Sequence, residues 1–348
     1  TLGAGGASPT QQLLQVLAPQ KALLLIDNLE HLIDGVDLLL ALLQAAPAVT
    51  LLVTTREQLN CQAEDIFLLS GLATPKASAL AEASHYAAVR LFCERAYRLH
   101  KSFKLTADNC PAVVKICQLV EGMPLAIELA TTWLGDFDCA MLATAIADNM
   151  AILATTQRDL PLRHRSMQAV FDYSWQMLTA REQQLLSQLA LCQGPFSAHI
   201  AGQLAGASLV DLTGLRYKSL LRIVEAGYYD LHPLIRTFAL SRLAAASASQ
   251  VATRLATLYM QQVAEQGLAL DGETPQAALH AIERELDNVQ QAWQWAMEQE
   301  RTDLLAQGVT GLGSYYASSG RNSECAERFV PLARQLIEQG DGGSATGK

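Results

Sequence analysis

Asp27 is the first residue in the chain with the type and setting for chemistry. It closes the apolar run Ala22-Leu23-Leu24-Leu25-Ile26 and is followed by Asn28, Glu30 and His31. A carboxylate at the carboxyl end of a buried parallel strand can hold magnesium against a nucleotide phosphate. Taken alone, an acidic residue after an apolar strand is common, and a plain loop aspartate is the simpler reading. A second apolar run leads into Val53-Thr54-Thr55-Arg56, placing a cation where charge-assisted hydrogen bonds could sense a terminal phosphate. By itself, Arg56 would be a solvated cap. Glu121-Gly122-Met123-Pro124-Leu125-Ala126 combines a glycine turn with a proline at a helix start. That pairing allows close backbone approach to a base or ribose, or merely turns a corner between helices. In Tyr229-Asp230-Leu231-His232-Pro233-Leu234-Ile235-Arg236, His232 stands at a helix N-terminus suited to an anion, although a lone histidine there is more often structural.

The elements that must position these residues are legible from periodicity. Ser8-Pro9-Thr10-Gln11 is a capping box with proline at the first helical position, so a short helix runs through Leu13, Leu14 and Leu17. The run from Ala22 to Ile26 has the unbroken apolarity of a strand buried on both faces. Leu38 to Leu43 reads as helix and Val49 to Thr54 as the next strand, together a βαβ unit; Ile66 to Leu69 is a candidate third strand. From Ser78 the apolar period becomes helical, with Ala88, Leu91, Phe92 and Tyr97 on one stripe. Helices are expected over 166–178, 180–192, 197–205 and 208–220, then a hairpin of Leu221 to Val224 and Tyr228 to Leu231 around Glu225-Ala226-Gly227, then a helix from Pro233 to Leu243. Helices followed by a two-stranded wing describe a winged helix. The last hundred residues are helical throughout, and Gly311 to Tyr316 with the turn Ser319-Gly320 suggest stacked helical hairpins in a short repeat array.

Composition narrows the function classes. The chain has 348 residues, half of them hydrophobic, enough for two to four domains at about 100–200 residues each. A formal net charge of -9 argues against general nucleic-acid binding, which needs clustered Lys and Arg. The expected recognition helix of the winged helix, Leu209 to Leu220, offers only Arg216 and Lys218, with Arg222 adjacent, which is thin for groove binding. Seven scattered cysteines without a C-x-x-C pair read as reduced thiols, an expectation of a cytoplasmic setting. Val36 to Val53, the most apolar stretch, is broken by Asp37, Gln44 and Pro47 and is not a membrane span.

Four ordinary features in one order are less ordinary. The succession of a Walker B-like strand end, T-T-R, G-x-P-L-A, winged helix and L-H-x-L-x-R resembles the STAND ATPases of the NB-ARC type along roughly residues 10 to 245. The Asp-Asn-x-Glu-His run at 27–31 resembles the bacterial branch found in LuxR-type and related multidomain transcriptional regulators. So do Leu160 to Ser166 with Phe171-Asp172-Tyr173-Ser174-Trp175, and Leu286-Asp287-Asn288-Val289. The resemblance implies a mainly α chain with an α/β part: a partial parallel P-loop NTPase sheet (1–76), a helical domain (77–158), a winged helix (159–247) and TPR-like helical repeats with a flexible tail (248–348). It implies ATP or ADP and magnesium as cofactors. Asp27 then serves the metal, Asn28 lies beside it, Arg56 reads the terminal phosphate, Gly122 and Pro124 pack near the adenine, and His232 contacts the phosphates of ADP. Where the family's M-H-D motif has Met and Asp, this chain has Leu231 and Pro233, so the hydrogen bond of that Asp is missing. Asn28 stands where many relatives carry a second carboxylate and cannot act as a base. Glu30 is the remaining candidate to orient a water, against the plainer reading of an exposed first-turn carboxylate.

The phosphate loop G-x-x-x-x-G-K-[ST] does not precede Asp27; Gly3 to Ala7 lacks its lysine, and Gly342 to Lys348 follows a helix instead of a strand. By resemblance the loop is expected a few dozen residues before Thr1, in a longer parent that is a slow ATPase and switches protein or DNA output. This chain alone is then expected to bind little ATP. Its expected partners are nucleotide, proteins on the helical repeats and further copies of itself, with no direct nucleic-acid contact and no membrane. The alternative is a nonhydrolysing helical-repeat interaction scaffold.

Overall fold

The computed structural model describes residues 8–155, 165–270, 272, 275–321, 325, 327 and 329. The described chain is mainly helical with two small sheets, and it divides into two compact units: residues 1–70 with 213–220, and the remainder.

In the first unit, Ser8 caps the helix Pro9–Leu17 by accepting from the Gln11 amide, while the Gln11 side chain returns to the Ser8 amide. Two strands follow, β1 (Ala22–Ile26) and β2 (Val49–Val53), paired in parallel from Ala22 opposite Val49 to Ile26 opposite Val53. The crossover between them is the helix Val36–Ala45, as parallel pairing requires. Leu42, Ala46 and Val49 form the core of this layer, and Leu14, Leu17, Ala22, Leu24 and Leu51 pack on it. Two expectations change here. β1 alternates instead of being buried on both faces: Leu23 and Leu25 are 64% and 67% exposed, because among the described residues helices cover only the face bearing Ala22 and Leu24. Ile66 to Leu69 forms no strand; all four residues are exposed, and the parallel sheet has two strands. A strand needs a ladder partner for its amides and carbonyls, and apolar composition alone does not supply one.

The second unit opens with the helices Ala87–Leu99, Cys110–Leu119, Pro124–Thr131 and Cys139–Asp148, packed around the buried Phe92, Ile116, Ile127 and Leu142. Ser166 caps Met167–Gln176, and Thr179 with Glu182 forms a capping box on Ala180–Leu189. Of the linker-like segment from Leu160 to Ser166, residues 160–164 lie outside the described residues, as do Gly3 to Ala7 and the tail Gly342 to Lys348. Next come β3 (Phe196–Ser197) and the helices Ala198–Ala205 and Leu209–Tyr217, the last of which belongs to the first unit from residue 213, then β4 (Arg222–Glu225), β5 (Tyr228–Asp230) and the helix Pro233–Ser241. The β4–β5 turn is made by Gly227 at φ 81°, a left-handed conformation that glycine adopts without steric cost. The β4–β5 hairpin pairs antiparallel as expected, and β3 adds to it as a third strand antiparallel to β5, giving the order β3-β5-β4.

Four further helices follow: Ala245–Leu270, Pro275–Arg284, Leu286–Glu298 and Thr302–Ser319. The first and last approach through glycines. A Cβ on Gly311 would sit 2.0 Å from the Val263 carbonyl oxygen, and one on Gly267 would sit 2.3 Å from the Gly311 Cα. Buried Trp293, Tyr259, Tyr315 and Tyr316 fill the array. A polar joint links these helices to the segment before β3. The fully buried Asn288 side chain accepts from the Gln193 amide at 2.7 Å and the Gly194 amide at 3.3 Å, and donates to the Pro195 carbonyl at 2.7 Å. Beside it the buried Glu285 accepts from the Ser197 amide at 2.6 Å and from Gln262 at 2.5 Å. No helix among the described residues is long and apolar enough to cross a membrane.

Candidate functional site

In the first unit the candidate residues gather at the carboxyl ends of β1 and β2. The Thr54 amide donates to the Ile26 carbonyl at 2.9 Å, and the Leu29 amide donates to the Thr54 carbonyl at 3.0 Å. The parallel ladder therefore continues one step past both strands. The Thr54 hydroxyl donates to the Asp27 Oδ1 and accepts from the Asn28 amide at 2.9 Å. Asn28 takes a left-handed conformation, φ 67° and ψ 48°, which turns the chain from the strand into the short 3-10 turn Leu29–His31. Asparagine enters this region more readily than most residues because its short amide bonds locally. Asp27 is thus fixed at the strand end by a hydroxyl on the neighbouring strand's extension.

Glu30 is 6% exposed, contrary to the expectation of an exposed first-turn carboxylate. Its Oε1 lies 3.5 Å from the Arg56 Nε. Arg56 is held from behind: its carbonyl accepts the Ser219 hydroxyl at 2.8 Å, and the Gln58 amide donates to the Tyr217 carbonyl at 3.1 Å. A buried carboxylate costs free energy unless a cation or hydrogen bonds compensate it, and Arg56 is one such partner for Glu30. Among the described residues no cluster of three His, Cys, Asp or Glu side chains could enclose a metal. Magnesium held by one or two carboxylates together with phosphate oxygens and water requires no such cluster, so Asp27 fits that coordination style.

In the second unit Gly122 and Pro124 form the turn between two helices. Glu121 and Gly122 are both left-handed, at φ 45° and 68°. The Leu72 amide donates to the Gly122 carbonyl at 2.9 Å, and a Cβ on Gly122 would lie 1.9 Å from the Leu72 carbonyl oxygen. Only glycine accommodates both the conformation and this close strap. Pro124 is the exposed first residue of the helix Pro124–Thr131, where its missing N–H costs nothing.

His232 caps the helix Pro233–Ser241, its Nδ1 accepting from the Leu234 amide at 3.1 Å. That bond leaves Nε2 as the N–H of the neutral ring, and Nε2 lies 3.7 Å from the Glu121 Oε2. Burial lowers the His232 pKa below the usual histidine value and Arg222 lowers it further, while Glu121, Asp230 and a hydrogen bond to the Val120 backbone act the other way. Arg222 grips both ends of the Glu121 carboxylate, at 2.5 and 3.0 Å, and its Nε and Nη2 reach the Asp230 Oδ2 at 3.1 and 2.6 Å. Asp230 is buried and its second oxygen accepts from Arg236 at 2.7 Å.

Glu121, Asp230 and Arg236 carry no local sequence signal of a side-chain role, and Arg222 reads only as a weak cation for nucleic acid, whereas two carboxylates engage it. A usable signal is the Asp230-x-His232-x-x-x-Arg236 spacing, which puts an acid and a base on either side of a helix start. The pairing to Glu121, 101 residues away in sequence, leaves no local trace.

No family model matches the chain. Proteins of Mycobacterium tuberculosis and Mycobacterium bovis described as HTH-type transcriptional regulators are 30% identical over 304 residues, covering 84% of this chain and 33% of each relative. The chain spans about a third of the length of these relatives. An uncharacterized protein of Mycobacterium tuberculosis is 28% identical over 254 residues, covering 68% of this chain and 61% of that protein. Among solved structures, a Signal Transduction ATPase with Numerous Domains (STAND) protein with a tetratricopeptide repeat sensor from Pyrococcus horikoshii aligns over 95% of this chain and 52% of its own, at 17% identity and a TM-score of 0.27.

Proposed function

We propose that this chain is part of a transcription-controlling regulator operated by ATP and ADP, a STAND-type switch of NB-ARC character. The observation that carries this reading is the carboxyl edge of the two parallel strands. There Asp27 is locked by the Thr54 hydroxyl while Arg56, on the extension of the second strand, lies against Glu30. Ligands of open α/β sheets bind outside the carboxyl ends of the strands, and one carboxylate is what magnesium takes from a protein when phosphates supply further oxygens. In this reading Asp27 holds magnesium beside Asn28 and Arg56 reads the terminal phosphate. Gly122 and Pro124 form the adenine-side turn, and His232 donates from Nε2 to a phosphate. The backbone amides and lysine of a phosphate loop belong to a further region of the longer protein. The three-stranded sheet with its flanking helices is a winged helix, and the helices from Ala245 onward are a TPR-like repeat arm for protein partners. Engagement of Arg222 by Glu121 and Asp230 supports a winged helix that does not read DNA.

The switch is tested in the longer protein. Asp27→Ala should lower magnesium-dependent ATP turnover at least about tenfold, the scale expected when a metal ligand is lost; unaltered turnover would remove Asp27 from the site. A nonhydrolysing scaffold is favoured by one observation, that Glu30 is buried against Arg56 while Asn28 cannot serve as a base. ADP binding without any turnover in the unmodified protein would decide for it.

A further inference from the structure

Three cationic or donor groups and two carboxylates meet where the turn before Pro124 faces the strand end before Pro233. The Glu121 Oε2 is the shared point: Arg222 Nη1 lies 2.5 Å from it and His232 Nε2 lies 3.7 Å from it. Arg222 does not depend on Glu121 for its orientation, because Asp230 holds its Nε and Nη2, and Asp230 is itself anchored by Arg236. Glu121, by contrast, rides on a short left-handed turn, and its carboxylate faces Arg222 and His232. With Glu121 counted, Arg222 and Arg236 balance Glu121 and Asp230. Without it, the group carries an excess positive charge beside the start of a nine-residue helix, a setting that favours anions.

We propose that Arg222 is a second anion-binding group beside His232, and that Glu121 is an internal carboxylate that a diphosphate displaces from them. An arginine fork accepts carboxylate or phosphate with the same paired geometry, so the exchange retains the Arg222 hydrogen bonds and needs no rearrangement of Asp230. Displacement removes the Glu121–Arg222 tie between the 121–124 turn and the strand pair Arg222–Glu225 and Tyr228–Asp230. Binding is thereby converted into loss of a tie within the unit. The inference rests on the nucleotide reading above for its natural ligand, the diphosphate of ADP. The pairing itself is tested without that reading.

The experiment is calorimetric titration of the chain with inorganic pyrophosphate, and separately with ADP, without magnesium, at pH 7.5. Glu121→Gln keeps the shape of the side chain while removing the competing charge, and should tighten pyrophosphate binding about tenfold, the effect of one like charge a few ångströms from an anion at a partly solvated site. Arg222→Ala in the Glu121→Gln background should abolish the gain. A gain with both ligands assigns recognition to the diphosphate itself, and a gain with ADP alone assigns it to the whole nucleotide. Unchanged or weaker affinity for both ligands in Glu121→Gln overturns the proposal, as does a gain that survives Arg222→Ala. Amide spectra of each variant exclude unfolding as the cause. Failure here leaves the Asp27 turnover test untouched, and failure of that test leaves a pyrophosphate gain standing.

Discussion

Replacing Asn288 by alanine should detach the C-terminal helices from the segment that feeds β3, and the cost can be worked from the geometry. The side chain is fully buried and satisfies three backbone groups: the amides of Gln193 and Gly194 and the carbonyl of Pro195. Gln193 is exposed, so water can replace its partner at little cost. Gly194 is buried and Pro195 half-buried, and both lose their partner outright. A buried polar group left unsatisfied costs about 1–3 kcal/mol, so the pair gives about 2–6 kcal/mol. That is a large share of the ~5–15 kcal/mol that stabilises a typical domain. Urea unfolding followed by circular dichroism should show a lower midpoint, and hydrogen exchange should show the Gly194 amide losing protection first. Asn288→Asp should be no better, since a carboxylate cannot donate to Pro195 and brings a second charge beside Glu285. A loss below about 1 kcal/mol with unchanged Gly194 exchange would refute the view that this joint holds the C-terminal helices in place.

Further outcomes are expected elsewhere. Gly311→Ala should lower thermal stability by about 3 kcal/mol or more, because the new Cβ meets the Val263 carbonyl oxygen at 2.0 Å and must push the two helices away from each other; a melting temperature within about 1 °C of the parent's, on the order of a few tenths of a kcal/mol, would contradict it. Gly122→Ala combines a left-handed φ with a 1.9 Å approach to the Leu72 carbonyl oxygen, and should both destabilise the unit and expose the 71–72 strap to limited proteolysis. Burial pushes the Glu285 carboxyl above its usual range, against hydrogen bonds from Gln262 and Ser197 and the charge of His199. The native state therefore holds that proton more firmly than the unfolded chain, so stability falls as pH rises from the ordinary glutamate pKa to the raised one and then levels. Glu285→Gln should flatten this region of the stability profile, and an unchanged slope in urea titrations at several pH values would assign the proton elsewhere.

Much of this architecture is legible in the sequence because its causes are local. The capping boxes at Ser8 and Thr179, the prolines opening helices at Pro9, Pro124 and Pro233, and the turn at Gly227 each act within a few residues. The parallel pair follows from two apolar runs separated by a helix, which is the only short way to join parallel strands. Asp27 and Arg56 are legible as candidates for the same reason: each follows closely on the carboxyl end of a strand.

Other features depend on partners distant in sequence. Apolar runs state that a strand can be buried, not how many layers cover it, so Leu23, Leu25 and Ile66 to Leu69 read as more enclosed than they are. The third strand, β3, is two residues long and exists only because β5 offers it a free edge. Glu30 reads as a solvated first-turn acid until the fold sets Arg56 beside it. The sequence by itself determined the helices, the strands β1, β2, β4 and β5 and the chemistry-bearing types near their ends, because propensity, capping and turn formation are short-range. Only the tertiary structure decided that Arg222 faces Glu121 and Asp230, and that Asn288 holds the 193–195 backbone, because charge pairing and burial are settled by whatever the chain brings alongside.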